Sequence, residues 1–167
     1  MGERFGAEVT WFPYDLHPEY PPDGAPRTEP PAASPAQQIF ERAGLEYNPP
    51  PDVRSNSRSA LRLAELARDQ GRFDELHPRL MDAYWAEGRD IGDHDVLLEL
   101  AAASGVDGAE ELLAGDRYLE RVLNLTRKAQ SIGVSGIPAF LLGGRLLVVG
   151  AHPREAFEDA FEQLENG

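Results

Sequence analysis

Gly133-Val134-Ser135-Gly136-Ile137-Pro138-Ala139-Phe140 is the stretch on which the reading of this 167-residue chain turns. It leads into two short apolar strands, Ala139–Leu142 and Leu146–Val149, joined by Gly143-Gly144, a dipeptide suited to a hairpin turn. Residues 153–164 follow, with Phe157, Ala160, Phe161 and Leu164 on one face and Glu158, Asp159, Glu162 and Glu165 on the other. That pattern predicts a closing amphipathic helix with a solvated acidic side.

Upstream of Gly133 the period changes. Tyr118, Val122, Leu125, Ala129 and Ile132 recur every three or four residues, which predicts a helix over 117–132 ended by Gly133. Asp93 and Asp107 are placed to cap two earlier helices, stopping at Gly105 and near Gly115. Phe73, Leu76, Leu80, Tyr84 and Trp85 keep helical spacing, and an Asp74 cap would place Pro78 in the tolerated first turn. Asn56 and Ser57 head a helix bearing Leu63, Leu66 and Ala67 and closed by Gly71. Ser34-Pro35-Ala36-Gln37 offers a capping box for a helix running to Ala43 and closed by Gly44. The six prolines of 18–31 make a loop, and the β-branched and aromatic residues of 8–16 predict a strand ending or bulging at Pro13. The order is strand, a block of helices over 34–132, strand, strand, helix.

This order and four local motifs resemble the DsbA-like family of thioredoxin-fold proteins, in the FrnE and 2-hydroxychromene-2-carboxylate isomerase branch. Trp11-Phe12-Pro13-Tyr14-Asp15-Leu16-His17-Pro18-Glu19 is similar to that branch's second-strand motif, and Asn56-Ser57 to the start of its first insertion helix. Ala83-Tyr84-Trp85 with Gly88-Arg89-Asp90-Ile91 also fits, and 133–140 resembles the cis-proline loop with the strand it opens. The resemblance covers about residues 8–165 and implies an α/β, thioredoxin-like (DsbA-like) fold. Residues 1–33 and 133–167 would form the thioredoxin-like part and 34–132 an all-helical insertion. In relatives the residues before Arg4-Phe5-Gly6 supply a central strand and then a Cys-Pro-x-Cys, or a lone Ser, at a helix start. This N-terminal β-α unit is missing here, which implies either a longer gene product or completion of the sheet by a second copy in a homodimer.

Composition narrows the chemistry. No apolar run reaches the roughly 20 residues a spanning helix needs, and the first eight residues lack a signal-peptide pattern, so the expectation is a cytoplasmic protein off the membrane. With 16 basic against 29 acidic residues, the net charge of -13 repels nucleic-acid phosphates and anionic lipid. There are no cysteines, which excludes disulfides, thiolate metal sites and a dithiol redox cycle within these residues. His17, His77, His94 and His152 are scattered without metal-ligand spacing. The serines include no Gly-x-Ser-x-Gly elbow and no evident base partner, so no catalytic residue is named.

The candidate binding residues are Ser135, Gly136, Ile137, Pro138, Asn56 and His152. If the Ile137-Pro138 bond is cis, the Ile137 backbone faces outward to pair with an extended peptide or glutathione; in the trans form Pro138 only starts an edge strand. Ser135 and Gly136 either line the same groove or simply turn the chain. Asn56 either donates to a bound carboxylate or thiolate, as the isomerase branch implies, or caps a helix. His152 and Arg154, at the final helix start, either meet an anionic ligand or belong to the solvated surface. The resemblance thus implies thiol-disulfide oxidoreductase activity for the family, with this chain redox-inactive as it stands. The alternatives are a glutathione-dependent isomerase or transferase, and a non-catalytic peptide-binding module. No cofactor is implied beyond glutathione as a ligand.

Overall fold

The computed structural model describes residues 6–29 and 35–166. It contains helices α1 (Pro35–Ala43), α2 (Arg58–Asp69), α3 (Phe73–Trp85), α4 (His94–Ala103), α5 (Ala109–Ala114), α6 (Leu119–Ser131) and α7 (Arg154–Asn166). Strands β1 (Ala25–Pro26) and β2 (Val53–Arg54) make one antiparallel pair, and β3 (Ala139–Leu142) and β4 (Leu146–Val149) another. The chain separates into two compact units, residues 17–123 and residues 6–16 with 124–166.

The first unit is helical because its apolar residues fall on facing stripes. Leu63, Leu66, Leu76, Leu80, Leu97 and Leu112, from α2 to α5, form its buried core. Each such side chain contributes about 2 kcal/mol by leaving water. Two charged residues of α2 are buried with them. Arg62 donates from Nε to the Arg117 carbonyl and from Nη2 to those of Leu112 and Gly115, satisfying groups at the end of α5. Glu65 accepts from Arg68 Nε at 3.1 Å and Arg121 Nε at 2.7 Å.

Helix ends follow the sequence where capping is local and depart from it where it is not. Asp93 caps α4 by accepting from the Asp95 backbone N–H at 2.8 Å, and Gly105 beyond its end takes a φ of +66°. Asp107 does not cap α5; Gly108 holds that position, while the Asp107 backbone pairs with the Gln70 side-chain amide in both directions. Nor does Asp74 cap α3, which begins at Phe73, so Pro78 lies in the second turn and gives no N–H to Asp74. Ser34 lies outside the described residues, and Gln37 donates to Glu41 Oε1 at 2.7 Å.

Loop 17–29 packs within the helical unit. Ala25 pairs with Arg54 and Pro26 with Val53, and Arg27 Nε donates to the Pro50 carbonyl at 2.9 Å. The stretch 34–132 is therefore interrupted by a strand and its flanking loop.

In the second unit β3 and β4 pair as the sequence predicts, Ala139 opposite Val149 through Leu142 opposite Leu146. Gly143 and Gly144 take φ of +55° and +69°, which a Cβ would oppose, and Arg145 N–H closes the turn on the Leu142 carbonyl. Helix α7 covers one face: Phe157 meets Phe140 edge-on at 4.8 Å, and Arg145 Nη2 donates to the Leu164 carbonyl. The expected strand over 8–16 does not form. Its composition suits an extended chain, yet a strand needs a neighbour's ladder, and among the described residues none pairs with it. It is instead fastened at its end, where the Asp15 backbone N–H donates to Thr126 Oγ1 at 3.0 Å and Tyr14 Oη to the Val134 carbonyl at 3.4 Å. No helix among the described residues is long and apolar enough to cross a membrane.

Candidate functional site

The loop after α6 delivers four of the six candidate residues to one end of the hairpin. Gly133 ends the helix, Val134 is buried, and Ser135 to Pro138 then pass over the surface. The Ile137-Pro138 peptide bond is cis. Ile137 is 55% exposed, while a Cβ on Gly136 would meet nothing within 4 Å, so the backbone here is approachable.

Pairing with β4 fixes which backbone groups of β3 remain outward. Gly150 N–H donates to the Pro138 carbonyl at 2.7 Å, which makes Pro138 and Gly150 a hydrogen-bonded pair in the antiparallel ladder. Phe140 and Leu142 share that parity and turn their N–H and C=O groups to β4. Ala139 and Leu141 turn theirs to the other edge, where no strand pairs among the described residues. Leu141 is also 51% exposed on the face opposite α7. An extended chain laid beside β3 would find two donors, two acceptors and an apolar side chain.

His152 belongs to the same end of the hairpin. Its Nε2 meets the Val149 carbonyl at 3.0 Å and lies 3.8 Å from where a Cβ on Gly150 would stand. The ring is thus turned back on β4, beside the residue that bonds Pro138. Arg154 Nε donates to Glu158 Oε1 at 2.9 Å along α7.

Asn56 is in the other compact unit and is occupied by structure. Its Nδ2 donates to the carbonyls of Tyr20 at 2.9 Å and Pro21 at 3.1 Å, and its Oδ1 accepts from the Arg58 N–H at 3.0 Å. Both amide hydrogens are engaged and the residue is buried, so it fixes the turn that leads into α2, whose N-cap position Ser57 holds, and fastens the proline-rich loop. Arg58 Nη2 adds a bond to the Pro18 carbonyl at 3.0 Å.

Two arrangements escaped sequence reasoning because their partners are far apart in the chain. Tyr14, Asp15 and Thr126 tie the N-terminal segment to α6 and its following loop across more than a hundred residues. Their only sequence signal is the Trp11 to Glu19 motif. Ser59 Oγ lies 3.4 Å from His94 Nε2 at the starts of α2 and α4, a partnership 35 residues apart. At that length and with His94 exposed, it is a surface contact and no activated nucleophile. No group of three or more His, Asp or Glu among the described residues could hold a metal ion.

The family model described as a DSBA-like thioredoxin domain matches residues 2–162. The uncharacterized protein YwbO of Bacillus subtilis is 27% identical over 162 residues, covering 92% of this chain and 80% of that protein. A crystal structure of a probable DsbA oxidoreductase from Streptomyces coelicolor superposes with a TM-score of 0.81 at 27% identity, covering 96% of this chain and 76% of that one.

Proposed function

The chain belongs to the DSBA-like thioredoxin domain family, and from that premise we propose that it holds extended peptide segments at the 135–138 loop. The family suggests thiol-disulfide oxidoreductase activity. Such exchange passes through a thiolate attacking a disulfide sulfur, and a dithiol cycle needs two thiols in the catalyst. These 167 residues contain none, so they supply substrate-holding surface and not the electrons.

The observation that carries the reading is exposed Ile137 on a loop whose backbone is open to close approach, an arrangement matched to main-chain pairing with a peptide. Ser135 and Gly136 flank it and let a ligand backbone come close. These groups recognise main chain and exposed apolar surface, which favours unfolded segments over one fixed sequence. Asn56 takes no part, since its amide donors are already bonded to carbonyls.

Calorimetric titration with a cysteine-free extended peptide and, separately, with glutathione tests this. Peptide binding in the micromolar range with no response to glutathione is the expected result. Saturable glutathione binding without peptide binding would replace the reading with the isomerase or transferase alternative.

A further inference from the structure

We propose that the corner between α2 and α3 is an acid-sensitive latch, closed while the His77 ring is neutral and opened locally when that ring gains a proton. The corner lies within the helical unit, and the inference is independent of the peptide-binding reading. Phe73, the first residue of α3, is its centre. The Arg68 guanidinium of α2 stands 4.0 Å over the Phe73 ring, and His77, one turn along α3, stacks on that ring at 4.9 Å with the planes 20° apart.

These side chains matter because the backbone holds the start of α3 weakly. Arg72 occupies the N-cap position and makes no side-chain cap bond. Pro78 has no N–H to give the Asp74 carbonyl, so the first turn loses one of its ladder bonds. The corner itself is closed by the Gly71 N–H on the Arg68 carbonyl at 3.1 Å, the Arg72 N–H on that of Ala67 at 2.7 Å and the Leu76 N–H on that of Arg72 at 3.0 Å. A segment so held opens at a lower free energy than the uninterrupted helices around it.

The charge on His77 decides how well the stack holds. Neutral, the ring packs on Phe73 as one more aromatic surface. Protonated, it brings a second cation to the ring that already carries Arg68, at a half-buried position. Arg68 is anchored to the buried Glu65 at 3.1 Å, and Glu65 is shared with Arg121 at 2.7 Å, so one carboxylate serves two guanidinium groups. Burial first, and then the Arg68 charge, keep the His77 imidazole below its ordinary 6.5, while Asp74 on its own helix opposes them. The closed corner therefore binds the proton less well than the open one: closure is complete above pH 6.5 and weakens as pH falls below it. Opening bares Leu76, fully buried in the closed form, and gives the helical unit an apolar surface in acid.

Hydrogen exchange on the whole chain, read by mass spectrometry at pH 7.5 and pH 5.5 and corrected for intrinsic rates, tests this. In the native chain the segment 70–77 is expected to lose protection severalfold more than α4 as the pH falls, the ceiling one unit below 6.5 being about tenfold. In His77→Gln the segment and α4 are expected to change alike. A corner that keeps step with α4 in the native chain overturns the inference, and that comparison needs no variant. An equal selective loss in His77→Gln assigns the pH dependence to another group and overturns it as well.

Discussion

At the scale of single residues, the buried polar side chains decide whether the helical unit holds together. Arg62 is surrounded by carbonyls, and burial pushes its guanidinium below its ordinary range. Arg62→Met would leave the Gly115 and Arg117 carbonyls without this donor, while that of Leu112 still accepts from the Gly115 N–H, and is expected to lower stability by about 3 kcal/mol in urea denaturation. Asn56→Ala removes the turn bond to Arg58 and two loop bonds at once, with an expected loss of about 2 kcal/mol and no change in peptide affinity. Ile137→Asp should do the reverse: at a site more than half exposed it is expected to leave the melting temperature unchanged and weaken peptide binding about tenfold. Little of this was visible in the chain. The pair Asn56-Ser57 marks a helix start in the sequence, but the carbonyls of Tyr20 and Pro21 that fix the Asn56 donors lie 36 and 35 residues away. Arg62 carries no local signal, because its acceptors at Leu112, Gly115 and Arg117 lie 50, 53 and 55 residues along the chain.

At the scale of elements, what could be read depended on whether the determinants were local. The β3–β4 hairpin was legible because Gly143-Gly144 and two apolar runs lie within eleven residues. Helix ends at Gly71 and Gly105 were legible for the same reason. The strand expected over 8–16 failed because a ladder depends on a neighbour that composition does not encode. The start of α3 is a further case: Phe73 stands between Arg68, 4.0 Å above its ring, and His77, stacked at 4.9 Å. Burial, and then the Arg68 charge, hold the His77 pKa below its ordinary value of 6.5, Asp74 opposing. The folded state therefore prefers the neutral ring. Its contribution is complete above pH 6.5, the unfolded value, and is lost as pH falls below it. Melting temperature is expected to fall between pH 7 and pH 5 by more in the native chain than in His77→Gln, a comparison that circular dichroism makes directly. Asp69, held below its ordinary range by hydrogen bonds from Tyr118 and Arg121, acts only in the more acidic window below 3.8.

At the scale of the whole molecule, the two units divide the labour. Residues 17–123 bury a continuous leucine core, while the unit with the hairpin leaves Phe12, Ile137 and Leu141 more than half exposed. Of these, Ile137 sits on the approachable 135–138 loop, where an exposed apolar side chain marks an interaction surface. The family supplies the context of thiol chemistry, and the absence of cysteine removes the chemistry from these residues while leaving the surface. The most direct test is to titrate ¹⁵N-labelled protein with a cysteine-free extended peptide and follow backbone amides by NMR. Saturable shifts centred on Ser135, Gly136 and Ile137, with the amides of α2 to α5 unmoved, are the predicted result. Shifts confined to the helical unit, or none at saturating peptide, would contradict it.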